Sequence, residues 1–207
     1  MKLRYFLIFF CFIILLVLII YIINPQIESF LIERKASLEN EIETLKSEFV
    51  FISFFVNSKR EELVDFTLTI YGIDGSTVDR QRLVMDGNDI FIESKVITTK
   101  NNKAIVFPIK VFSDIIPSKK GKSLVPFYEK DEFPAIYTGV ETKISNFIKD
   151  LFEFYVLEKN ISLKRYGLEL KNMDVVVHQL SGNVEENKEY ECLIHPDGSI
   201  ELREKNE

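Results

Sequence analysis

Few residues in this chain have the type and spacing that chemistry requires. The two histidines, His178 and His195, are far apart in sequence, whereas a zinc site takes three or four ligands. Cys192 lies three residues before His195 in "EYECLIHPDG". Strand alternation sets Cys192 with Tyr190 and Ile194 on a buried face and leaves His195 at the strand end, before a Pro196-Asp197-Gly198 turn. "SKKGKS", from Ser118 to Ser123, ends like a phosphate-binding loop. The glycine which that loop needs five residues before Gly121 is Ile116, so Lys119, Lys120 and Lys122 read as a solvated loop tip. Glu129, Asp131 and Glu132 in "YEKDEF" read as solvated loop charges. No serine sits in a Gly-x-Ser-x-Gly elbow. Asn160-Ile161-Ser162 matches the glycosylation acceptor pattern, which matters only on a eukaryotic secretory route. No catalytic, cofactor-binding or metal-binding residue is assigned, and no cofactor is expected.

The elements around these residues say more. From Tyr5 to Ile23 the chain has no charge, no Gly, no Pro and no strongly polar side chain. A helix of about 19 residues spans roughly 28 Å, close to the hydrocarbon core of a bilayer. A cleaved signal has a shorter apolar region, on the order of 7–15 residues, followed by small residues; here the first Ala is Ala36. The expectation is an uncleaved transmembrane helix over 5–23 in contact with lipid. Lys2 and Arg4 precede the span, so the positive-inside rule puts residues 1–4 in the cytoplasm and the rest of the chain outside.

Residues 24–56 read as a stalk. Asn24-Pro25 ends the span and starts a new helix. Leu31, Leu38, Leu45 and Ile52 recur every seven residues, and Ile42 and Phe49 fill the intervening position, where Lys35 is the polar exception. In a parallel pair Arg34 would face Glu39 of the partner strand, and Glu41 would face Lys46. This predicts a parallel homodimer or heterodimer with Leu31, Leu38, Ile42, Leu45, Phe49 and Ile52 in the seam. The competing reading is an amphipathic helix folded back on its own domain. "FVFISFFV" is apolar on all sides, so there the seam enters a core or the helix gives way to a strand.

The exported domain, 57–207, alternates in short runs. Asp74-Gly75 and Asp86-Gly87 separate such runs and predict hairpins of an antiparallel meander. A further strand is expected over 104–112, another at "VVVHQL", and a final hairpin closes at Pro196-Asp197-Gly198. Thr138-Gly139-Val140-Glu141 matches a capping box ahead of the stripe Val140, Ile144, Phe147, Ile148, Leu151, Phe152 and Tyr155. Between them Pro108, Pro117, Pro126 and Pro134 each follow an apolar residue, which reads as a loop or edge. Phe107, Ile116, Val125 and Phe133 either tuck that segment onto the sheet or offer a partner surface. The fold class is α+β: a transmembrane helix, a short coiled-coil stalk, and an antiparallel sheet domain with one main helix.

Composition narrows the function. Net charge is −6 over 207 residues, so a nucleic acid partner is not expected. With Cys11 inside the span, Cys192 has no disulfide partner in the exported part. In plan alone the layout resembles bitopic inner-membrane proteins of division, secretion or pilus-assembly machines; no residue motif carries that resemblance, and it transfers no site. The expected function is a non-enzymatic, membrane-anchored scaffold or assembly protein whose exported domain binds a protein. An extracytoplasmic sensor or ligand-binding module comes next, and an exported hydrolase last.

Overall fold

A computed structural model describes residues 48–99, 103–166, 170–180 and 185–205, and before them residues 13, 15, 26–30, 32–33, 35–38 and 42. The expected membrane span, apart from Ile13 and Leu15, lies outside the described residues. Among those described, no helix is long and apolar enough to cross a membrane. The domain is α+β, dominated by antiparallel strands.

Strands β1 (Phe49–Arg60), β2 (Leu63–Tyr71), β3 (Thr77–Asp86), β10 (Glu189–Ile194) and β11 (Ile200–Glu204) form one sheet in the order β11-β10-β1-β2-β3. Strands β4 (Ile90–Thr99), β5 (Ala104–Ser113), β6 (Lys122–Ser123) and β9 (Leu170–Leu180) form a second, in the order β6-β5-β4-β9. A small hairpin pairs β7 (Glu129–Lys130) with β8 (Phe133–Pro134).

The first sheet is built around β1, the stretch whose pattern looked like the end of a stalk. Phe49 and Ile52 are therefore strand residues, and the heptad seam does not run through them as helix. The apolar density of "FVFISFFV" has a local cause. Pairing with β10 shifts register between Val50 and Ile52, so Phe51 falls in a bulge, and both Phe51 and Ile52 are wholly buried. Beyond it, Ile52, Phe54 and Val56 face the core opposite Ile70, Leu68 and Phe66. Tyr190, Cys192 and Ile194 extend the same face on β10. Leu38 and Ile42, both helical, belong to this core at 4% and 2% exposure, and Lys143 Nζ donates to Ser37 Oγ at 3.2 Å. The segment before β1 folds back on its own domain at these residues. Leu31 and Leu45 lie outside the described residues.

Two joints hold the sheets together. At Asp86-Gly87 the chain does not turn back in a hairpin; β3 and β4 belong to different sheets, and Gly87-Asn88-Asp89 is the corner between them. Gly87 has φ +127°, and a Cβ there would come within 2.4 Å of Asp114 Oδ1. Asp114 Oδ1 accepts from the backbone N–H of Asn88 at 2.8 Å and of Asp89 at 3.1 Å. Burial alone would raise the Asp114 carboxyl, but the N–H groups of Asp89 and Asn88, joined by those of Asp114 and Ile115, outweigh it and hold it below its usual range. The second joint is the β10–β11 turn. The Ala104 N–H donates to the Pro196 carbonyl at 2.8 Å. Gly198 sits so close that a Cβ would meet Ala104 and Val96 at 2.6 Å.

Helix α1 is one turn, Val125–Tyr128, and α2 covers Thr142–Leu151 before widening into a π-helical turn, Phe152–Val156. Ile144, Phe147, Ile148, Leu151 and Phe152 are buried as the stripe predicts. The capping box does not form: Gly139 takes φ +91°, and α2 starts only at Thr142, with Glu141 at the N-cap making no side-chain cap. At the other end Lys95 Nζ donates to the Tyr155 carbonyl at 2.5 Å, satisfying a helix-end acceptor.

Candidate functional site

The two long edges of the β6-β5-β4-β9 sheet differ. On the β5 side, β6 reaches only Lys110 and Val111. Below that point the Pro-rich segment supplies what a strand would. The Leu124 N–H donates to the Ile109 carbonyl at 2.8 Å. Tyr128 OH donates to the Pro108 carbonyl at 2.8 Å. The Tyr137 hydroxyl accepts from the Val106 N–H at 2.9 Å and donates to the Val106 carbonyl at 3.0 Å. Both tyrosines are buried, which raises the pKa of each phenol and keeps it a neutral donor. Pro108 has no N–H to pair, so it fits a strand whose outer side is met by side chains.

This arrangement accounts for the four residues singled out in the segment. Phe107 is wholly buried and packs its ring on Tyr137 and Phe152 at centroid distances of 5.8 and 5.5 Å, so it is no part of the outer surface. Ile116, Val125 and Phe133 are half-buried and packed against the same core.

On the other side, β9 pairs with β4 over its length and, among the described residues, with no strand beyond. Its odd-numbered residues lie on the face of Phe91, Glu93, Lys95 and Ile97. There Met173, Val175 and Val177 are 44%, 56% and 49% exposed. The even-numbered residues Asp174, Val176 and His178 register with Val96, Ser94 and Ile92. His178 is half-buried; its Nε2 is buried and makes no hydrogen bond among the described residues, and desolvation lowers its pKa. An 11-residue edge strand with exposed apolar side chains and, among the described residues, no strand beyond it is a template for another strand.

The remaining candidates are occupied by structural work. Cys192 is buried and its thiol pKa is pushed up by desolvation, so it is a poor nucleophile. His195 lies between Glu48 at 3.1 Å and Glu201 at 3.0 Å; its hydrogen bond with Glu48, joined by that with Glu201, raises its pKa against desolvation. Lys119, Lys120 and Lys122 are exposed around a single 3-10 turn, Ser118–Lys120. Asp131 and Glu132 form the tight turn of the β7–β8 hairpin, both with positive φ, and Glu132 pairs with Lys159 at 2.5 Å. Among the described residues no group of three or more His, Cys, Asp or Glu is placed to hold a metal ion.

The outer face of the first sheet is a closed polar array. Arg82 makes a two-pronged contact with Asp65, at 3.0 and 2.6 Å, and Asn57 Nδ2 donates to Asp65 at 3.1 Å. Hydrogen bonding by Arg82 holds the Asp65 carboxyl below its usual range. Ser53 Oγ donates to Glu189 at 3.0 Å and meets Tyr71 OH at 3.1 Å. Beside this array a cleft of about 340 Å³ is lined in part by Glu48, Phe49, Tyr71, Gly72, Glu191 and Lys205. Lys205 is engaged with Glu189 and Glu191 at 3.2 and 3.7 Å. A second cleft, of about 410 Å³, lies where Phe30, Glu33 and Ser37 meet Lys143.

Sequence reasoning found β9 as a strand and missed that it is an edge. Three consecutive valines look the same in a covered central strand. Comparison of the chain with protein-family profiles, with curated proteins and with solved structures finds no match.

Proposed function

We propose that this chain is a single-pass, membrane-anchored scaffold or assembly protein that binds a protein partner along the outer edge of β9. In this reading residues 5–23 stay in the bilayer, the N-terminus is cytoplasmic, and the α+β domain works outside. The observation that carries it is the row Met173, Val175 and Val177, each close to half exposed on a long edge strand. Natural edges are blunted by charge, bulges or cover, and here the opposite edge of the same sheet is covered by buried tyrosines.

Magnitudes explain why an anchor and an edge belong together. Burying the exposed half of each of three side chains yields about 1 kcal/mol apiece. Loss of rotational and translational freedom on association costs at least about 4 kcal/mol. Such an edge binds weakly between freely diffusing molecules. It becomes useful when both partners are held in one membrane at high effective concentration.

The ligand-binding alternative draws on the cleft beside Glu48 and Tyr71. It is the weaker reading, because Lys205 and Glu191 in that cleft already pair with each other.

The test is capture of the full chain from detergent-solubilised membranes after crosslinking, with Val175→Lys/Val177→Lys alongside wild type. The expected outcome is loss of the partner by tenfold or more, with the unfolding free energy changed by no more than about 0.5 kcal/mol. Retention of the partner by the double variant contradicts the edge as the docking site. Release of the chain from membranes by alkaline carbonate contradicts the anchor.

A further inference from the structure

We propose that the strand docking on β9 is β9 of a second copy of this chain, antiparallel about a two-fold axis through Val176, which merges the two four-stranded sheets into one. This rests on β9 being the docking edge, and it names the occupant.

The stretch "LKNMDVVVHQL", Leu170–Leu180, is self-complementary. In an antiparallel pair related by a two-fold axis normal to the sheet, the axis must pass through a residue and its own copy, and opposed residues share a face. Only a few registers keep the apolar row together. With the axis at Asp174, that carboxylate sits opposite itself, which is repulsive. With the axis at Val175, Asp174 sits opposite the apolar Val176 of its copy. With the axis at Val176, Asp174 meets the partner's His178, and His178 meets the partner's Asp174, so one pair forms on each side of the axis. The same register sets Val175 opposite the partner's Val177 twice on the exposed face, and Met173 opposite the partner's Gln179. No like charges are opposed.

The structure of the single chain fits this register. Asp174 is exposed and His178 half-buried at the outer margin of the sheet. His178 Nε2 has no hydrogen-bond partner among the described residues. Both side chains lie on the face of Ser94 and Val96, away from the row Met173, Val175 and Val177. An apolar contact on one face and a polar pair on the other fix the register from both sides. Two copies anchored in one membrane are compatible with a two-fold axis normal to the bilayer. The helical residues Leu38 and Ile42, covered by their own domain, need not supply the contact.

The experiment is energy transfer between donor- and acceptor-labelled copies of the full chain in liposomes of phosphatidylcholine and phosphatidylglycerol, over a range of protein-to-lipid ratios. Wild type is expected to self-associate, and Val175→Lys to abolish it. Asp174→His opposes two histidines and His178→Asp opposes two carboxylates, so each single variant is expected to shift the midpoint about tenfold toward higher density. The double variant Asp174→His/His178→Asp restores the pair with its members exchanged and is expected to return to near the wild-type midpoint. That recovery separates a broken contact from a broken fold. Self-association indifferent to Val175→Lys, or a double variant no better than the singles, overturns the proposal. A wild type that stays monomeric while a different protein is captured through Val175 overturns the second copy as occupant and leaves the docking edge standing. Absence of both removes both.

Discussion

The two edges of the four-stranded sheet come from one chain and have been treated in opposite ways. Along β5 the unpaired backbone from Val106 to Ile109 is met by Tyr137, Tyr128 and Leu124, all buried. Along β9 the described residues supply no such cover, and three apolar side chains stand about half exposed. An edge is closed in this fold by a segment dedicated to it, and among the described residues β9 has no such segment. The five-stranded sheet supports the point. Its edge strand β3 carries a single exposed apolar residue, Val84, beside exposed Arg80 and Arg82, and β11 carries Glu201, Arg203 and Glu204, the charges by which edges are ordinarily guarded.

The largest effect is expected at the joint that both edges depend on. Gly87→Ala puts a Cβ into Asp114 and Ser113 at a φ that L-residues rarely adopt, and should cost about 3 kcal/mol. Urea unfolding measures it. Because Gly87 opens the corner that leads into β4, the central strand that pairs with both β5 and β9, the variant should loosen the β5 and β9 edges alike; loosening of one edge alone would contradict this.

Next comes the closed edge itself. Tyr137→Phe removes the hydroxyl that serves both the N–H and the carbonyl of Val106. Leaving these buried groups unpaired should cost about 1–3 kcal/mol by urea unfolding. Amide exchange should accelerate at Val106 and stay unchanged on β9. A neutral result would mean that the edge is not sealed by Tyr137.

The smallest effect concerns a region that neither edge uses. His195 has a raised pKa in the folded chain, chiefly through Glu48. Its contribution is therefore fully present below about pH 6.5, the ordinary histidine value, and is lost as pH rises through the folded value. His195→Gln should cost a few tenths of a kcal/mol at pH 5.5 and about nothing at pH 9. Thermal unfolding at the two pH values tests this, and self-association should not change in either.

How much of this was legible beforehand follows from the range of each interaction. Local patterns read well. The β10–β11 hairpin with its Pro196-Asp197-Gly198 turn, the Asp74-Gly75 turn, and the buried stripe of α2 are all set by residues a few positions apart. Asp86-Gly87 has the same local signal as a hairpin, yet there the chain crosses to another sheet: the Gly87 N–H goes to the Glu62 carbonyl, and the Asn88 and Asp89 N–H groups go to Asp114. The capping box at Thr138 failed to a competing local preference, the positive φ of Gly139. "FVFISFFV" was ambiguous because a bulge, which buries neighbouring residues together, erases the alternation that marks a strand. The site was the least legible part. Tyr137 reaches a backbone 31 residues upstream, and no spacing announces that. Whether "VVVHQL" is covered or open depends on which strand lies beside it, which pattern alone does not fix.

Amide hydrogen exchange decides whether β9 is the docking edge. Full-length chain in vesicles from its own cells is compared with the same chain dispersed singly in detergent. Amides of 170–180 are expected to gain protection in the membrane assembly while those of β3, 77–86, do not change. Unchanged exchange along 170–180, with protection gained on another surface, would contradict it.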